Sequence, residues 1–144
     1  MNRHDSRIII VAALYNLEIN YNLPEEVFKY LEFLVQESKD DETLKLDPFI
    51  TETVIGILNN QTVIDEMITK NLVNWSLTGL SYVDRAIIRL ATYEMLYTDT
   101  PASIIINEAI EITKDYSDLE DGTQARFNNR VLDNIKESIV NARK

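Results

Sequence analysis

The segment NWSLTGLSYVDRAIIRLATYEMLYTDTPASIIINEAIEITKDY, Asn74–Tyr116, decides the fold class. Ser81 is a good N-cap for a helix that continues to Tyr97, because a serine hydroxyl accepts a hydrogen bond from a first-turn N–H. Apolar residues lie on most faces of this helix, so we expect it to be central and buried. Thr100–Pro101 then opens a second helix, on which apolar residues recur at helical spacing. The segment therefore predicts two packed helices in an all-α core.

The rest of the chain continues the helical pattern on both sides of this segment. The other helices are predicted to begin near Arg3, at an Asn22 capping box, at Asp47–Pro48, after the Asn59–Asn60 turn and at Thr123. Residues 36–47 are polar and acidic and are interpreted as a surface loop. The expected architecture is about seven helices in one domain of residues 1–144, with subdomains of about 1–60 and 61–144.

Composition supports a helical protein and excludes several other classes. The 144 residues are 45% hydrophobic, with only three Gly and three Pro, which favours long helices over a loop-rich β fold. The chain has no Cys, so neither disulfides nor cysteine metal sites are available. No apolar run reaches the about 20 residues that a membrane span needs. The apolar stretch Ile8–Leu14 is interpreted as helix rather than signal peptide, and a cytoplasmic protein is expected.

The net charge of −10 is unfavourable for nucleic-acid binding if it is taken alone. The charge is unevenly distributed, however. Bases outnumber acids in residues 122–144, and the N-terminus offers Arg3, His4 and Arg7 against Asp5. If the two chain ends meet, they form a positive patch on an acidic body, and the distribution then matters more than the sum.

The residues expected of an enzyme are missing from the sequence. His4 is the one histidine, and there is no Gly-rich phosphate loop, Ser-His-Asp arrangement or HExxH motif. Glu108 and Glu111 have the spacing of a carboxylate metal pair. Carboxylate bundles also need Glu-x-x-His on the partner helices, for which no histidine remains. We therefore expect no catalytic activity, no metal and no cofactor.

Two side chains of the central segment need an explanation. Arg89 lies midway along the most buried helix, where an unpaired charge costs several kcal/mol. We predict that it pairs with Glu108 across two packed helices. Trp75 is expected to be part of the core.

The sequence resembles the NusB family of antitermination factors over nearly its whole length. The similarity is carried by Asn74–Tyr116, by AALY at Ala12–Tyr15 and by RFNNRVLDNI at Arg126–Ile135, in the family's order and spacing. The resemblance implies a fold of two helical halves, three helices plus four, without catalytic activity. It also implies binding of boxA, a single-stranded element of nascent ribosomal RNA, together with a small-subunit ribosomal protein, NusE. The RNA polymerase elongation complex would be contacted indirectly.

The resemblance also implies which residues contact RNA. Cations hold phosphates and aromatic rings stack on bases in single-stranded RNA recognition. The residues at matching positions are Arg3, His4, Arg7 and Tyr15 on the first helix and Phe127 and Asn129 on the last, where Arg126 and Arg130 would flank the site. The N-terminus of the last helix is expected to help bind phosphate.

This sequence departs from the family pattern at three positions within or beside these two groups. Asp5 interrupts the basic run of the first helix. Asn128 and Arg130 stand where Val and Gly are usual. Because each lost phosphate contact weakens binding and flattens its salt dependence, we expect RNA binding that is weaker or more dependent on the partner.

For the protein partner, the resemblance implies Tyr82 and Asp84 at the start of the fifth helix. Asp84 has a second interpretation, as a first-turn acid that favours the helix dipole. The alternative function is a NusB-like protein-interaction or dimerisation module with weak or lost RNA binding, and a homodimer remains open. A third interpretation, the accessory domain of an RNA cytosine methyltransferase, would require a catalytic region beyond Lys144.

Overall fold

The computed structural model describes residues 2–20, 23–37 and 46–143, and their side chains except those of residues 34–37. Within these residues the regular structure is helical. The α-helices are α1 (Arg3–Asn20), α2 (Pro24–Glu37), α3 (Pro48–Asn59), α4 (Gln61–Thr69), α5 (Tyr82–Tyr97), α6 (Ala102–Tyr116) and α7 (Thr123–Ala142). A short 3-10 turn, Leu77–Gly79, precedes α5. The all-α prediction and the predicted number of helices are confirmed.

The chain divides into two compact units, Met1–Asn59 and Asn60–Lys144. In the first unit, α1 packs against α2 and α3. The helix α1 begins at Arg3, as predicted, and continues to Asn20. The core of this unit consists of fully buried apolar side chains, namely Ile10, Ala13, Ile50, Val54 and Ile57.

In the second unit, α5 is central because it packs against α4, α6 and α7. Its buried residues cover several faces, as the sequence predicted, and include Ile87, Ile88, Leu90 and Ala91. The Ser81 hydroxyl accepts a hydrogen bond from the Asp84 N–H at 3.1 Å, so the predicted N-cap is confirmed. The apolar stripe of α7, which includes Val131, Leu132 and Ile135, completes the core of this unit.

Three details differ from the sequence predictions or lie outside the described residues. The helix α7 is capped by Gly122 at φ 78°, not by Thr123, because glycine takes the left-handed conformation that the chain needs at this turn. The helix α2 continues to Glu37 into the predicted loop 36–47, of which residues 38–45 are not described, and Leu46 is buried. The predicted cap at Asn22 also lies outside the described residues.

The carboxylate that holds Arg89 belongs to Asp65 of α4, whereas the sequence predicted Glu108 of α6. Arg89 Nε and Nη2 donate to the two Asp65 oxygens at 2.9 and 3.0 Å. The side chains are only 12% and 24% exposed. The guanidinium fork therefore joins α5 to α4, so the predicted need for an acidic partner is confirmed, and the acid that the structure shows in this role is Asp65.

We expect Asp65→Asn to lower the free energy of unfolding by about 2 kcal/mol, the usual worth of hydrogen bonds to a charged group. The mutation keeps the side-chain size but removes one charged acceptor oxygen from a largely buried pair. Urea unfolding measures the change. The matched control is Glu66→Gln, which neutralises the exposed neighbouring acid. Equal losses in both variants would contradict the structural importance of the Arg89–Asp65 pair.

Candidate nucleic-acid interface

The residues of the first predicted group, Arg3, His4, Arg7 and Tyr15, lie along α1 in the first unit. The Arg3 side chain is 59% exposed, and its Nη1 donates to Asp47 at 3.2 Å. Its guanidinium carbon also lies 3.8 Å from the centre of the Phe49 ring. Arg3 is therefore accessible, but an acid and an aromatic ring already hold it against α3.

Arg7 does not share the exposure of Arg3. It is only 5% exposed, and its guanidinium carbon lies 6.0 Å from the centre of the Phe49 ring. His4 is half-buried and Tyr15 is exposed. Arg3 and Arg7, four residues apart on α1, both lie near the Phe49 ring, but they differ in exposure. Arg3 and Tyr15 offer accessible surface on α1, whereas Arg7 is a packed side chain.

The second predicted group lies at the start of α7, in the second unit. Arg126, Asn129 and Arg130 are exposed, and Phe127 is half-buried. The Phe127 ring meets the Trp75 ring edge-on, with centroids 6.1 Å apart and an interplanar angle of 72°. The structure thus places both arginines and Phe127 at the start of α7, with Trp75, from the segment before the 3-10 turn, against the Phe127 ring.

Trp75 is 56% exposed, so the prediction that it belongs to the core is wrong. The helix α4 ends at Thr69, and Asn74 has a left-handed backbone at φ 65° that redirects the chain just before the tryptophan. Asn tolerates this conformation better than most residues. The sequence did contain one indication that the ring is exposed. Trp75 directly follows an asparagine and lies outside the predicted helices.

A pocket of about 270 Å³ opens beside the Trp75–Phe127 pair. The two aromatic rings and Leu80 supply its apolar walls, and Ser81, Thr123 and Gln124 supply neutral polar groups. The backbone of Gly79 and the side chain of Asp84 complete the lining. A pocket with mostly apolar walls and a few polar groups is the usual form of a ligand site.

Asp84 is buried, with only 4% of its surface exposed. One carboxylate oxygen accepts hydrogen bonds from Ser117 Oγ at 2.7 Å and Asn128 Nδ2 at 3.0 Å, and the other accepts from Ser81 Oγ at 2.6 Å. The carboxylate therefore joins the start of α5, the end of α6 and the first turns of α7. This geometry corrects the expectation of a surface acid that faces the protein partner.

Tyr82, the other residue expected at the partner contact, is exposed. The Arg85 guanidinium carbon lies 4.6 Å from the centre of its ring, within the range of a cation–π contact. Of the two predicted partner residues, Tyr82 is thus the one on the surface.

Asn128, where the family pattern has Val, is completely buried and fully engaged. Its amide nitrogen donates to Asp84 and to Thr113 Oγ1, both at 3.0 Å. Its oxygen accepts from Gln124 Nε2 at 2.9 Å. Both polar atoms of the Asn128 side chain thus have hydrogen-bond partners. Asparagine at this position therefore forms part of a buried polar cluster and leaves no unsatisfied group.

The N-terminus of α7 already holds two carboxylates. Asp118 accepts from the N–H groups of Gly122 and Ala125, and Asp121 accepts from that of Thr123, each at 3.0 Å. These backbone N–H groups are the ones that would bind a phosphate. With these N–H groups occupied by the protein's own carboxylates, the N-terminus of α7 offers fewer free donors to a phosphate than the sequence suggested.

The backbone N–H of Thr123 is the main cause that lowers the pKa of Asp121 below its usual value of 3.8. A depressed pKa adds stability that is present above the unfolded-state pKa and is lost as the pH falls through the folded-state pKa. We therefore expect the wild type to exceed Asp121→Asn in stability at neutral pH, and this difference to shrink as the pH falls below 3.8 and through the lowered folded-state pKa. Urea unfolding at a series of pH values measures the difference. A stability difference that is the same at every pH would mean that another property of the mutation is responsible.

The sequence matches the NusB family over residues 4–137. It is 39% identical over 140 residues to the transcription antitermination protein NusB of Bacillus velezensis, covering 96% of this chain and 98% of that protein. The structure is similar to that of T. maritima NusB, with a TM-score of 0.78, 34% identity and coverage of 95% and 92% of the two chains. The chain belongs to the NusB family of transcription antitermination proteins.

A second solved structure, of the antitermination factors NusB and NusE in complex with double-stranded RNA, matches with a TM-score of 0.77. The match has 24% identity and covers 96% of this chain and 99% of the other, and it shows the shared fold. Among the described residues of this chain, no helix is both long enough and apolar enough to cross a membrane.

Proposed function

We propose that this antitermination factor binds boxA-type single-stranded RNA in nascent ribosomal RNA, together with the small-subunit ribosomal protein NusE. The observation that carries the proposal is the start of α7. There Arg126, Asn129 and Arg130 are exposed on the helix that also carries Phe127, whose ring packs edge-on against Trp75. A site for single-stranded RNA needs cations, which bind the phosphates, and accessible aromatic rings, on which the bases stack. Partner binding is supported by the related fold that was crystallised with NusE and RNA.

The proposed partner contact uses the exposed Tyr82 ring, and the acidic surface of the chain favours a basic ribosomal protein through electrostatic steering. The proposal includes indirect contact with the RNA polymerase elongation complex and a cytoplasmic location, where transcription factors act. It includes no enzymatic activity and no cofactor. This agrees with relatives that are named as antitermination proteins.

One observation favours the alternative of a protein-interaction module with weak RNA binding. Arg7 is buried, and Arg3 is paired with Asp47, so the basic run of α1 offers less free charge than its sequence suggests. If α1 contributes little, RNA binding depends on the cations of α7 and on the partner.

The deciding experiment measures binding of a labelled boxA-like RNA by fluorescence anisotropy, with and without NusE, across a salt series. We expect affinity to rise with NusE and to fall with salt. Arg126→Glu/Arg130→Glu should weaken binding by about tenfold or more and flatten the salt slope by about 0.7 per lost phosphate contact. Lys114→Glu, which reverses an exposed charge on α6, is the control.

Wild-type affinity in the double arginine variant would contradict the role given to the start of α7. Failure to bind RNA under both conditions, with the NusE complex still forming, would replace the proposal by the interaction module. Arg3→Glu tests the contribution of α1 separately. Arg7→Glu is unsuitable, because it would bury an acid at a packed position.

A further inference from the structure

We propose that the pocket between Trp75 and Phe127 receives a single unstacked base of the bound RNA, with Trp75 as the stacking residue. This inference rests on the proposed function and adds Trp75, which was not among the predicted RNA-binding residues, together with the pocket that it forms with Phe127. The pocket lies entirely within the second unit, between the 3-10 turn, the start of α5 and the start of α7.

The Trp75 ring is exposed but held in place. A Cβ atom built on Gly79 would lie 3.5 Å from Trp75 Cε3, so the backbone of the 3-10 turn lies against the indole. The Phe127 ring contacts it edge-to-face. A ring that is fixed before binding loses little side-chain freedom when a base stacks on it. An exposed indole that was not held by neighbouring groups would lose more side-chain freedom when a base stacks on it, and it would bind the base less tightly.

The polar groups of the pocket suit the edge of a base. Ser81, Thr123 and Gln124 are neutral hydrogen-bonding side chains at the pocket, and the Asp84 carboxylate is its one charged lining group. A carboxylate has about four lone-pair sites. Three of the Asp84 sites accept from Ser81, Ser117 and Asn128, which leaves capacity for one more donor, such as a base amino group.

The charges around the pocket favour RNA over a basic protein side chain. A Cβ atom built on Gly122 would lie 2.8 Å from Arg126 Nη1, so this guanidinium lies beside Gly122 at the N-terminus of α7. Arg130 follows four residues later on the same exposed face. Arg126 also interacts electrostatically with Asp121, whose carboxylate accepts the Thr123 N–H. Two exposed arginines on the helix that lines the pocket can supply cations to the phosphates that flank one inserted base.

Trp75 is the one tryptophan of the chain, so its fluorescence reports on this pocket alone. The experiment titrates unlabelled boxA-like RNA while tryptophan emission is recorded, and measures affinity separately with labelled RNA. Binding should quench the emission. Trp75→Leu should weaken binding by about 5- to 150-fold, the range that corresponds to loss of one stacked base, while Trp75→Phe should restore most of the affinity. Tyr116→Leu, which removes an exposed ring from α6, is the control.

A set of RNAs with one abasic position each identifies the inserted base. Removing the base at one position should weaken binding to the wild-type protein as much as Trp75→Leu does. The same abasic RNA should bind the Trp75→Leu variant no more weakly than intact RNA does. RNA binding without quenching, and with equal affinity for Trp75→Leu, would overturn the pocket while leaving the proposed function intact. Quenching by the ribosomal protein alone would assign the pocket to the protein partner. Absence of RNA binding altogether would overturn both proposals.

Discussion

Asp84→Ala should unfold at a temperature about 10 °C below the wild type, with a loss of at least about 3 kcal/mol in the free energy of unfolding. The carboxylate is buried and accepts hydrogen bonds from Ser81, Ser117 and Asn128. Its removal leaves the Asn128 amide, which is completely buried, without one of its two acceptors. A buried donor without an acceptor destabilises the folded state by its full desolvation penalty. Asp84→Ala should therefore lower the free energy of unfolding more than the removal of an ordinary surface acid does.

The matched control is Asp133→Ala, which removes an exposed acid of α7 and should change stability by less than about 0.5 kcal/mol. Asp84→Asn keeps one acceptor oxygen and should fall between the two. Thermal and urea unfolding followed by circular dichroism give the values. If Asp84→Ala were as stable as the control and instead lost only its binding to the ribosomal protein, Asp84 would be a partner contact after all.

Phe127→Ala should reduce affinity for boxA-like RNA by about 5- to 150-fold, which corresponds to the 1–3 kcal/mol, roughly, of one aromatic–base contact. Phe127 has this effect in two ways. It is proposed to contact RNA directly, and its ring supports Trp75 at a centroid distance of 6.1 Å. Anisotropy of labelled RNA, at one fixed salt concentration, measures the change.

Because Phe127 is half-buried, its truncation also affects packing. Phe127→Leu keeps most of the apolar volume without a flat ring, so it should retain stability and still lose RNA affinity. Tyr116→Ala controls for the removal of an exposed aromatic residue elsewhere in the same unit. Equal RNA affinity of Phe127→Leu and the wild type would show that the ring does not stack on a base.

The helices could be predicted from the sequence because their signals are local. The apolar spacing and the Ser81 cap define α5, and the structure reproduces both Ser81 as cap and Tyr97 as the last helical residue. The start of α7 was less predictable. Thr123 is a common cap type, but the left-handed backbone at Gly122 and the two nearby aspartates determine where the helix begins.

The side-chain partners were harder to predict because they depend on how helices pack. The sequence shows that Arg89 needs an acid, but several acids lie at suitable helical positions, and only packing selects Asp65. The same limit applies to Asp84. Its sequence position fits both a surface contact and a buried one, and the hydrogen bond from Asn128, 44 residues away, decides between them.

The hydrogen bond between Asp84 and Asn128 also has a consequence for biosynthesis. During translation, α5 and α6 leave the ribosome before α7, so Asp84 has neither Asn128 nor the completed pocket until α7 emerges. The aromatic pair is likewise incomplete until Phe127 is synthesised. The proposed base site therefore forms only once α7 has been made, and a nascent chain that stops short of Phe127 cannot yet bind RNA there.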